Sequence, residues 1–140
     1  MAYPNEMLLV SARDAETLAA VLGERGRRSA DADAANALAD LLMEAHLVPH
    51  ERLPADRVAM NSRVTYEEQP GGARRTVVLV PPAQADAAAG RISVLSPIAR
   101  ALLGRQPGAT IDAGAPLGRK LCIRILSAES PAEEEARHAS

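Results

Sequence analysis

The sequence is poor in aromatic residues. Its 140 residues contain no Phe, no Trp and two Tyr, Tyr3 and Tyr66. Proteins that bind single-stranded nucleic acid usually stack the bases on aromatic side chains. Sixteen Lys and Arg against eighteen Asp and Glu leave a formal net charge of −2, which provides no strong field to attract a phosphate backbone. Direct sequence-specific binding of nucleic acid is therefore not expected.

Cysteines and long apolar segments are also scarce. With one cysteine, Cys122, the chain can form no internal disulfide. The sequence shows neither a charged leader followed by an apolar segment nor an apolar run of about 18 residues. These features predict a cytoplasmic protein without a membrane anchor. Hydrophobic residues still make up 47% of the chain, so its core must be mainly aliphatic.

The residues that could carry chemistry are not spaced for it. His46, His50 and His138 have no metal-site spacing with carboxylates or with Cys122, so we predict neither a metal nor another cofactor. Cys122 lies in an apolar segment with no histidine near it in sequence, which favours a small core residue over a nucleophile. Gly118-Arg119-Lys120 lacks the flanking residues of a phosphate-binding loop. We predict no catalytic residue, and therefore no enzyme.

The N-terminal region has the apolar period of a helix. Ser11 and Asp14 are spaced as a capping box, which predicts a helix over residues 12 to 23. Gly23 and Gly26 are expected to end it.

A second amphipathic helix follows a short polar loop. Ser29 or Asp31 can cap it, and its apolar side chains are Ala34, Leu38, Leu41, Leu42 and Ala45. Two such helices form an αα-hairpin, which we assign to residues 1–50. The Leu38 and Leu42 stripe can pack on the core or on a second copy, so the oligomeric state stays open.

Beyond residue 50 the pattern changes to strands and turns. Pro49 and Pro54 mark a linker over residues 48–57. The predicted extended segments cover residues 58–60, 64–68, 74–80, 91–95, 110–112 and 120–126. A turn signal, Gln69-Pro70-Gly71-Gly72, makes the second and third of these an antiparallel hairpin.

One short helix interrupts the strands. Ser96 and Pro97 fit its N-cap and first turn, residues 98–103 form its body, and Gly104 ends it. Arg100 is expected to be its exposed residue. Strands around one short helix, behind a helical hairpin, predict an α+β fold.

The chain therefore divides into three parts. The helical hairpin covers residues 1–50, and a strand-rich domain covers residues 51–128. Residues 129–140 are acidic, with Glu133-Glu134-Glu135, and have little to bury. This composition predicts a disordered tail.

Two motifs in the strand-rich domain resemble a known family. The run Ile92-Ser93-Val94-Leu95-Ser96-Pro97-Ile98-Ala99-Arg100-Ala101-Leu102-Leu103-Gly104 resembles the segment of Gre transcript-cleavage factors in which a strand passes through Ser-Pro into a short helix. Met60-Asn61-Ser62-Arg63-Val64 and the long loop after Pro81-Pro82 are closer to a Gre relative, the Rnk family (regulators of nucleoside diphosphate kinase). The residues of this signature are Asn61, Ser62, Ser96, Pro97 and Gly104.

The resemblance covers residues 58–127 well and 38–57 loosely. Two turns depart from the family pattern, at Gly108-Ala109 and at Ala115-Pro116-Leu117-Gly118. Resemblance to the Rnk family implies an FKBP-like domain of antiparallel sheet with one short helix, and an N-terminal coiled-coil finger. It also implies a non-catalytic transcription regulator that binds RNA polymerase at the secondary channel and competes with Gre factors. Arg100 is then a candidate docking residue.

The acidic residues near the finger tip keep two alternatives open. Gre-type cleavage factors carry carboxylates on a long finger to the magnesium of the polymerase, whereas helices of roughly 12 to 16 residues extend only about 18 to 24 Å. Glu24, Asp31 and Asp33 are candidate polymerase-facing residues, or they serve helix capping and dipole compensation. The alternatives are a true cleavage factor that uses these acids, and a prolyl isomerase suggested by the fold alone.

Overall fold

The fold follows the order hairpin, linker, sheet. The computed structural model describes residues 7–26, 28–69, 71–114 and 120–130. Its helices are α1 (Ala12–Arg25), α2 (Ala32–Glu44) and α3 (Pro97–Leu102). Its strands are β1 (Leu9–Ser11), β2 (His46–Val48), β3 (Arg63–Gln69), β4 (Arg74–Val80), β5 (Arg91–Ser93), β6 (Thr110–Gly114) and β7 (Lys120–Glu129). None of the helices within these ranges is both long and apolar enough to cross a membrane.

Helix α1 begins where its capping residue predicted. The Ser11 hydroxyl accepts a hydrogen bond from the Asp14 N–H at 3.0 Å. The expected end at Gly23 is wrong, because the helix continues to Arg25 and the Gly26 N–H closes it onto the Leu22 carbonyl at 2.9 Å. A glycine inside a helix costs about 1 kcal/mol relative to alanine, which a helix of this length tolerates.

The apolar stripe of α2 faces inward. Leu38 is fully buried with Leu18 and Val21 of α1, and Leu42 packs against the same cluster at partial burial. Of the two roles left open for this stripe, packing on the core is the one observed. The most exposed large apolar side chains in the described ranges are Met43 and Leu47, where α2 passes into β2.

The base of the hairpin contains a strand pair that the sequence did not predict. Strands β1 and β2 run parallel, with Leu9 opposite His46 and Ser11 opposite Val48. Residue 48 was expected to begin a linker. Strands of three residues are too short to show a period, and all three residues of β1 are buried, so no alternation marks them.

The sheet has five strands in the order β5-β4-β3-β7-β6. Neighbours are antiparallel, as expected, except β4 and β5, which are parallel, so the sheet is mixed. The predicted hairpin over the turn at residues 69–72 is confirmed as β3 and β4. Residues 58–60, expected to be extended, form an irregular segment, and the Val58 N–H donates to the Arg105 carbonyl at 2.8 Å.

One hydrophobic cluster joins the hairpin to the sheet. Leu18 and Leu38 of the hairpin belong to the same cluster as Val64, Leu79 and Ile123 of the sheet. An α+β fold with a helical hairpin before a sheet and a short helix is therefore confirmed. Glu129, assigned to the tail from the sequence, ends β7, while residues 131–140 and the turn at 115–118 lie outside the described residues.

Candidate functional site

The hairpin tip presents acidic side chains that point to different surroundings. Glu24 and Asp33 are exposed. The carboxylate of Asp31 lies 3.7 Å from the guanidinium of Arg25 and makes no capping bond to α2. Asp31 therefore holds the N-cap position that the sequence predicted, but its side chain pairs across the tip. Within the described ranges, no three His, Cys, Asp or Glu side chains come together in a group able to hold a metal.

The reach of the hairpin follows from its helix lengths. Helix α1 has 14 residues and α2 has 13. At about 1.5 Å per residue, the two helices extend roughly 20 Å, within the range expected from the sequence. The hairpin is therefore short.

The short helix α3 has the local geometry that Ser96 and Pro97 predicted. The Ser96 hydroxyl accepts from the Ala99 N–H at 3.3 Å, and Pro97 occupies the first turn, exposed to solvent. Ala99 and Leu102 are buried beneath it. The motif therefore anchors α3 on the core and leaves its first turn accessible.

Asn61 and Ser62 shape the entry into β3. Asn61 has a φ of 67°, a left-handed conformation that Asn adopts more readily than most residues. Its N–H donates to the Leu79 carbonyl at 2.7 Å. The buried hydroxyl of Ser62 accepts from the Ala59 N–H at 2.9 Å. Both residues therefore have structural roles in this turn.

Gly104 is the point where the hairpin base meets the C-terminal domain. Its carbonyl accepts from the Leu9 N–H at 3.2 Å, and its own N–H donates to the Val58 carbonyl at 2.9 Å. With a φ of +81°, a side chain here would be strained, and a Cβ would lie 3.2 Å from the Leu9 backbone oxygen. The sequence predicted Gly104 as a helix stop, but not its contact with β1.

Arg57 is a buried arginine that sequence reasoning missed. Its side chain is 2% exposed, and Nη1 donates to the carbonyls of Met7 and of Gly104, the latter at 3.0 Å. Burial lowers the pKa of Arg57. The residue lies in a polar, proline-flanked linker, and its partners are 50 and 47 residues away in the chain. No local pattern could therefore identify it.

Arg100 is partly buried, so the expectation that it is exposed is wrong. Its Nη1 donates to the Ala34 carbonyl in α2 at 3.2 Å, and burial lowers its pKa. The docked hairpin covers the side of α3 that carries Arg100, which an isolated short helix would leave in water. Arg57 and Arg100 thus connect the hairpin to the C-terminal domain at two places.

Tyr66 and Cys122 test two further expectations, the prolyl isomerase alternative and a cysteine in the core. Tyr66 is 4% exposed and belongs to the core cluster, so it lines no aromatic pocket of the kind a prolyl isomerase would need, while Tyr3 lies outside the described residues. Cys122 is half-buried, which corrects its assignment to the core. Its neighbour Ile123 faces the core, and successive residues of a strand point to opposite faces.

Comparison with known proteins identifies relatives of the C-terminal domain. Residues 53–130 match the family described as transcription elongation factor, GreA/GreB, C-terminal. The transcription elongation factor GreA of Brucella anthropi is 36% identical over 85 residues, which are 61% of this chain and 54% of that protein. GreA of Mesorhizobium japonicum is 35% identical over 85 residues, with the same shares. The chain thus spans about half the length of the curated relatives it matches.

A solved structure extends the likeness to the hairpin. The prokaryotic transcription elongation factor GreA/GreB from Nitrosomonas europaea is 29% identical to this chain, with a TM-score of 0.70. The alignment covers 91% of this chain and 100% of that one. The arrangement of hairpin and sheet is therefore shared with a solved relative over nearly all of the chain.

Proposed function

Because the chain belongs to the GreA/GreB transcription elongation factor family through its C-terminal domain, we propose that it binds bacterial RNA polymerase at the secondary channel. In this proposal it is a non-catalytic regulator of the Rnk type, which competes with longer Gre factors. Its place of action is the bacterial cytoplasm. The C-terminal domain carries the docking surface, and the hairpin occupies the mouth of the channel.

The observation that carries the proposal is a short hairpin fixed to the matched domain. Its helices extend about 20 Å, and it is held on the sheet domain by Arg57 at its base and by Arg100 at Ala34, near the start of α2. A projection of this length blocks an entrance without reaching the bottom of a channel tens of ångströms deep. Such a geometry supports competition without transcript cleavage.

At the tip, the pairing of Asp31 supports the same interpretation. A carboxylate that helps to hold a catalytic magnesium must be free to bind the ion. Asp31 is paired with Arg25 at 3.7 Å, and Glu24 and Asp33 remain as exposed acids. In the proposal these two side chains face the walls of the channel and tune affinity.

Arg100 has a positioning role within the proposal. Its guanidinium bonds the Ala34 carbonyl, so it holds the angle between α2 and α3 while Pro97 stays exposed beside it. The polymerase then contacts the first turn of α3, and Arg100 aims the hairpin relative to that contact.

A competition experiment tests the proposal directly. Purified core RNA polymerase is titrated with the fluorescently labelled full-length chain, and an unlabelled Gre-type cleavage factor is then added. We expect saturable binding at micromolar protein or below, on the order typical of specific protein complexes, and displacement by the competitor. No binding in this range would overturn the proposal.

A transcript assay separates the proposal from the cleavage alternative. The chain is added to stalled elongation complexes carrying labelled RNA, alongside the variants Glu24→Gln and Asp33→Asn. We expect no shortening of the transcript with any of the three proteins. Shortening that disappears in either variant would establish the cleavage factor instead.

A further inference from the structure

A cleft lies at the junction of the hairpin and the C-terminal domain. It has a volume of about 460 Å³ and separates the first turn of α1 from the segment between residues 50 and 61. The lining side chains that matter for its chemistry are Arg13, Asp14, His50, Leu53, Arg57 and Met60. We call this space the junction cleft. Separate parts of the chain form it, since Arg13 in α1 and His50 in the linker are 37 residues apart.

The rim of the junction cleft presents hydrogen-bond donors. Arg13 Nη1 lies 3.3 Å from His50 Nε2. A guanidinium has donors and no acceptor, so Nε2 is the acceptor in this contact. The pair leaves the remaining guanidinium N–H groups of exposed Arg13 available to a ligand. Such a planar set of donors matches the oxygens of a carboxylate or a phosphate.

The charges that line the cleft are positive in sum. Arg13 and Arg57 supply two guanidinium groups, and Asp14 is the acid among the described lining residues. Asp14 Oδ2 accepts from the Met60 N–H at 3.0 Å, so part of its acceptor capacity is occupied by the protein itself. Burial raises the pKa of Asp14, although Met60, His50, Arg13 and Ser11 all act to lower it. Among the lining residues the carboxylate offsets one of the two cations, while the charge of Asp56, outside the lining, acts on Arg57. The cation that remains for a ligand is Arg13.

The rest of the lining is mostly aliphatic. It comprises Leu53, Pro54, Ala55, Ala59 and Met60, with the polar Asn61 and Ser130. No aromatic side chain is among the described residues that line the cleft, so it has no surface on which to stack a base. The first turn of α1 adds the positive end of a 14-residue helix.

We propose that the junction cleft binds a small organic anion, a carboxylate or phosphate group on a short aliphatic body, held by Arg13, whose guanidinium His50 positions. The ligand's anionic group takes the free donors of Arg13, and its aliphatic body packs on Leu53 and Met60. A bound ligand contacts both the hairpin and the linker, so it holds the base of the hairpin in place. This proposal goes beyond polymerase binding and does not depend on it.

Nuclear magnetic resonance of the isolated full-length chain provides the test. The ¹⁵N-labelled protein is titrated with glycerol 3-phosphate and, separately, with butyrate, at constant ionic strength kept with sodium chloride. We expect saturable shifts of the Arg13, His50 and Met60 amides, with a dissociation constant of about 1 mM or tighter for at least one probe. Saturation by one probe alone identifies phosphate or carboxylate as the group recognised.

Matched variants show whether the binding uses the proposed residues. Arg13→Gln should weaken binding about tenfold, while Arg28→Gln, an exposed arginine at the tip, should leave it unchanged. Asp14→Asn keeps an acceptor for Met60 and removes the opposing charge, so it should tighten binding about threefold. Shifts that rise linearly to about 20 mM of both probes, or an equal response in Arg13→Gln and Arg28→Gln, would overturn the proposal.

Discussion

The tip and the base of the hairpin differ in what holds them. At the tip, Arg25 and Asp31 form a partly exposed pair at 3.7 Å, and the neighbouring Glu24 and Asp33 are in water. At the base, backbone groups and the buried side chain of Arg57 form hydrogen bonds. A contact in water contributes little to stability, whereas a buried polar group that loses its partner is costly. The buried contacts at the base therefore contribute more to the stability of the hairpin than the exposed pair at the tip.

Removing the buried arginine should have the largest effect. Arg57→Met keeps the aliphatic stem but leaves the Met7 and Gly104 carbonyls without their donor. We expect a loss of about 2 to 4 kcal/mol in the free energy of unfolding, measured by urea denaturation. Arg28→Met, at the exposed tip, is the control and should change stability by less than about 0.5 kcal/mol. Equal losses in the two variants would break the comparison.

A glycine pair can separate backbone strain from close packing at the base. Gly104→Ala places a Cβ 3.2 Å from the Leu9 oxygen at a φ of +81°, whereas Gly108→Ala has a φ of +92° and nothing within 4 Å. We expect losses of about 1 to 3 kcal/mol for Gly104→Ala and about 1 kcal/mol for Gly108→Ala in thermal or urea unfolding. If the two losses are the same, contact with β1 adds nothing to the strain.

Near the tip, a substitution of glycine by alanine should stabilise the protein instead of destabilising it. Gly23 lies inside α1 with open space around it. Gly23→Ala should therefore stabilise the protein by about 0.5 to 1 kcal/mol, because alanine has the higher helix propensity. The helical signal in circular dichroism should melt at a higher temperature than in the unsubstituted protein. A destabilised variant would mean that the tip is packed more tightly than its exposure indicates.

The smallest expected effect concerns how protein stability depends on pH through Asp14, at the base of the hairpin. The pKa of Asp14 is raised in the fold above 3.8, so the folded state binds a proton more tightly than the unfolded state. Its contribution to stability is present below 3.8 and is lost as pH rises through the folded pKa. Asp14→Asn removes this loss and keeps an acceptor for the Met60 N–H. Stability should change by no more than about 1 kcal/mol near neutral pH.

Urea denaturation across the acidic range checks this last prediction. The decline in stability as pH rises from 3.8 through the folded pKa of Asp14 should be smaller in Asp14→Asn than in the unsubstituted protein. Glu16→Gln, an exposed acid on the same helix, should leave the decline unchanged. An unchanged decline in Asp14→Asn would show that burial of this carboxyl has no energetic consequence at the base.

The same comparison explains what could be predicted from the sequence. The hairpin and the caps at Ser11 and Ser96 depend on residues three apart, and such local spacing is visible in a sequence. The pairing of β1 with β2 depends on contacts 37 residues apart between strands of three residues. No periodicity can show such a pair.

The site residues divide in the same way. Ser96 and Pro97 were placed correctly because a cap is a local structure. Arg100 was expected in water because nothing near it in sequence indicates that α2 packs over it. Arg57 was not noticed because its partners, Met7 and Gly104, are 50 and 47 residues away in the chain. The sequence therefore predicts the elements, and tertiary packing decides which polar side chains join them.

The parallel pair of β1 and β2 closes the hairpin into a loop at its root. Since residues 9 and 46 are already paired, helical turns added at the far end, beyond Ala34, leave the pairing at the root unchanged, whereas removing turns there would also remove the Arg100–Ala34 hydrogen bond. Lengthening such a loop costs only about 0.6 kcal/mol for each doubling. One C-terminal domain can therefore carry longer hairpins. The length of the hairpin can then change, in evolution or by design, while the contacts at its base stay the same.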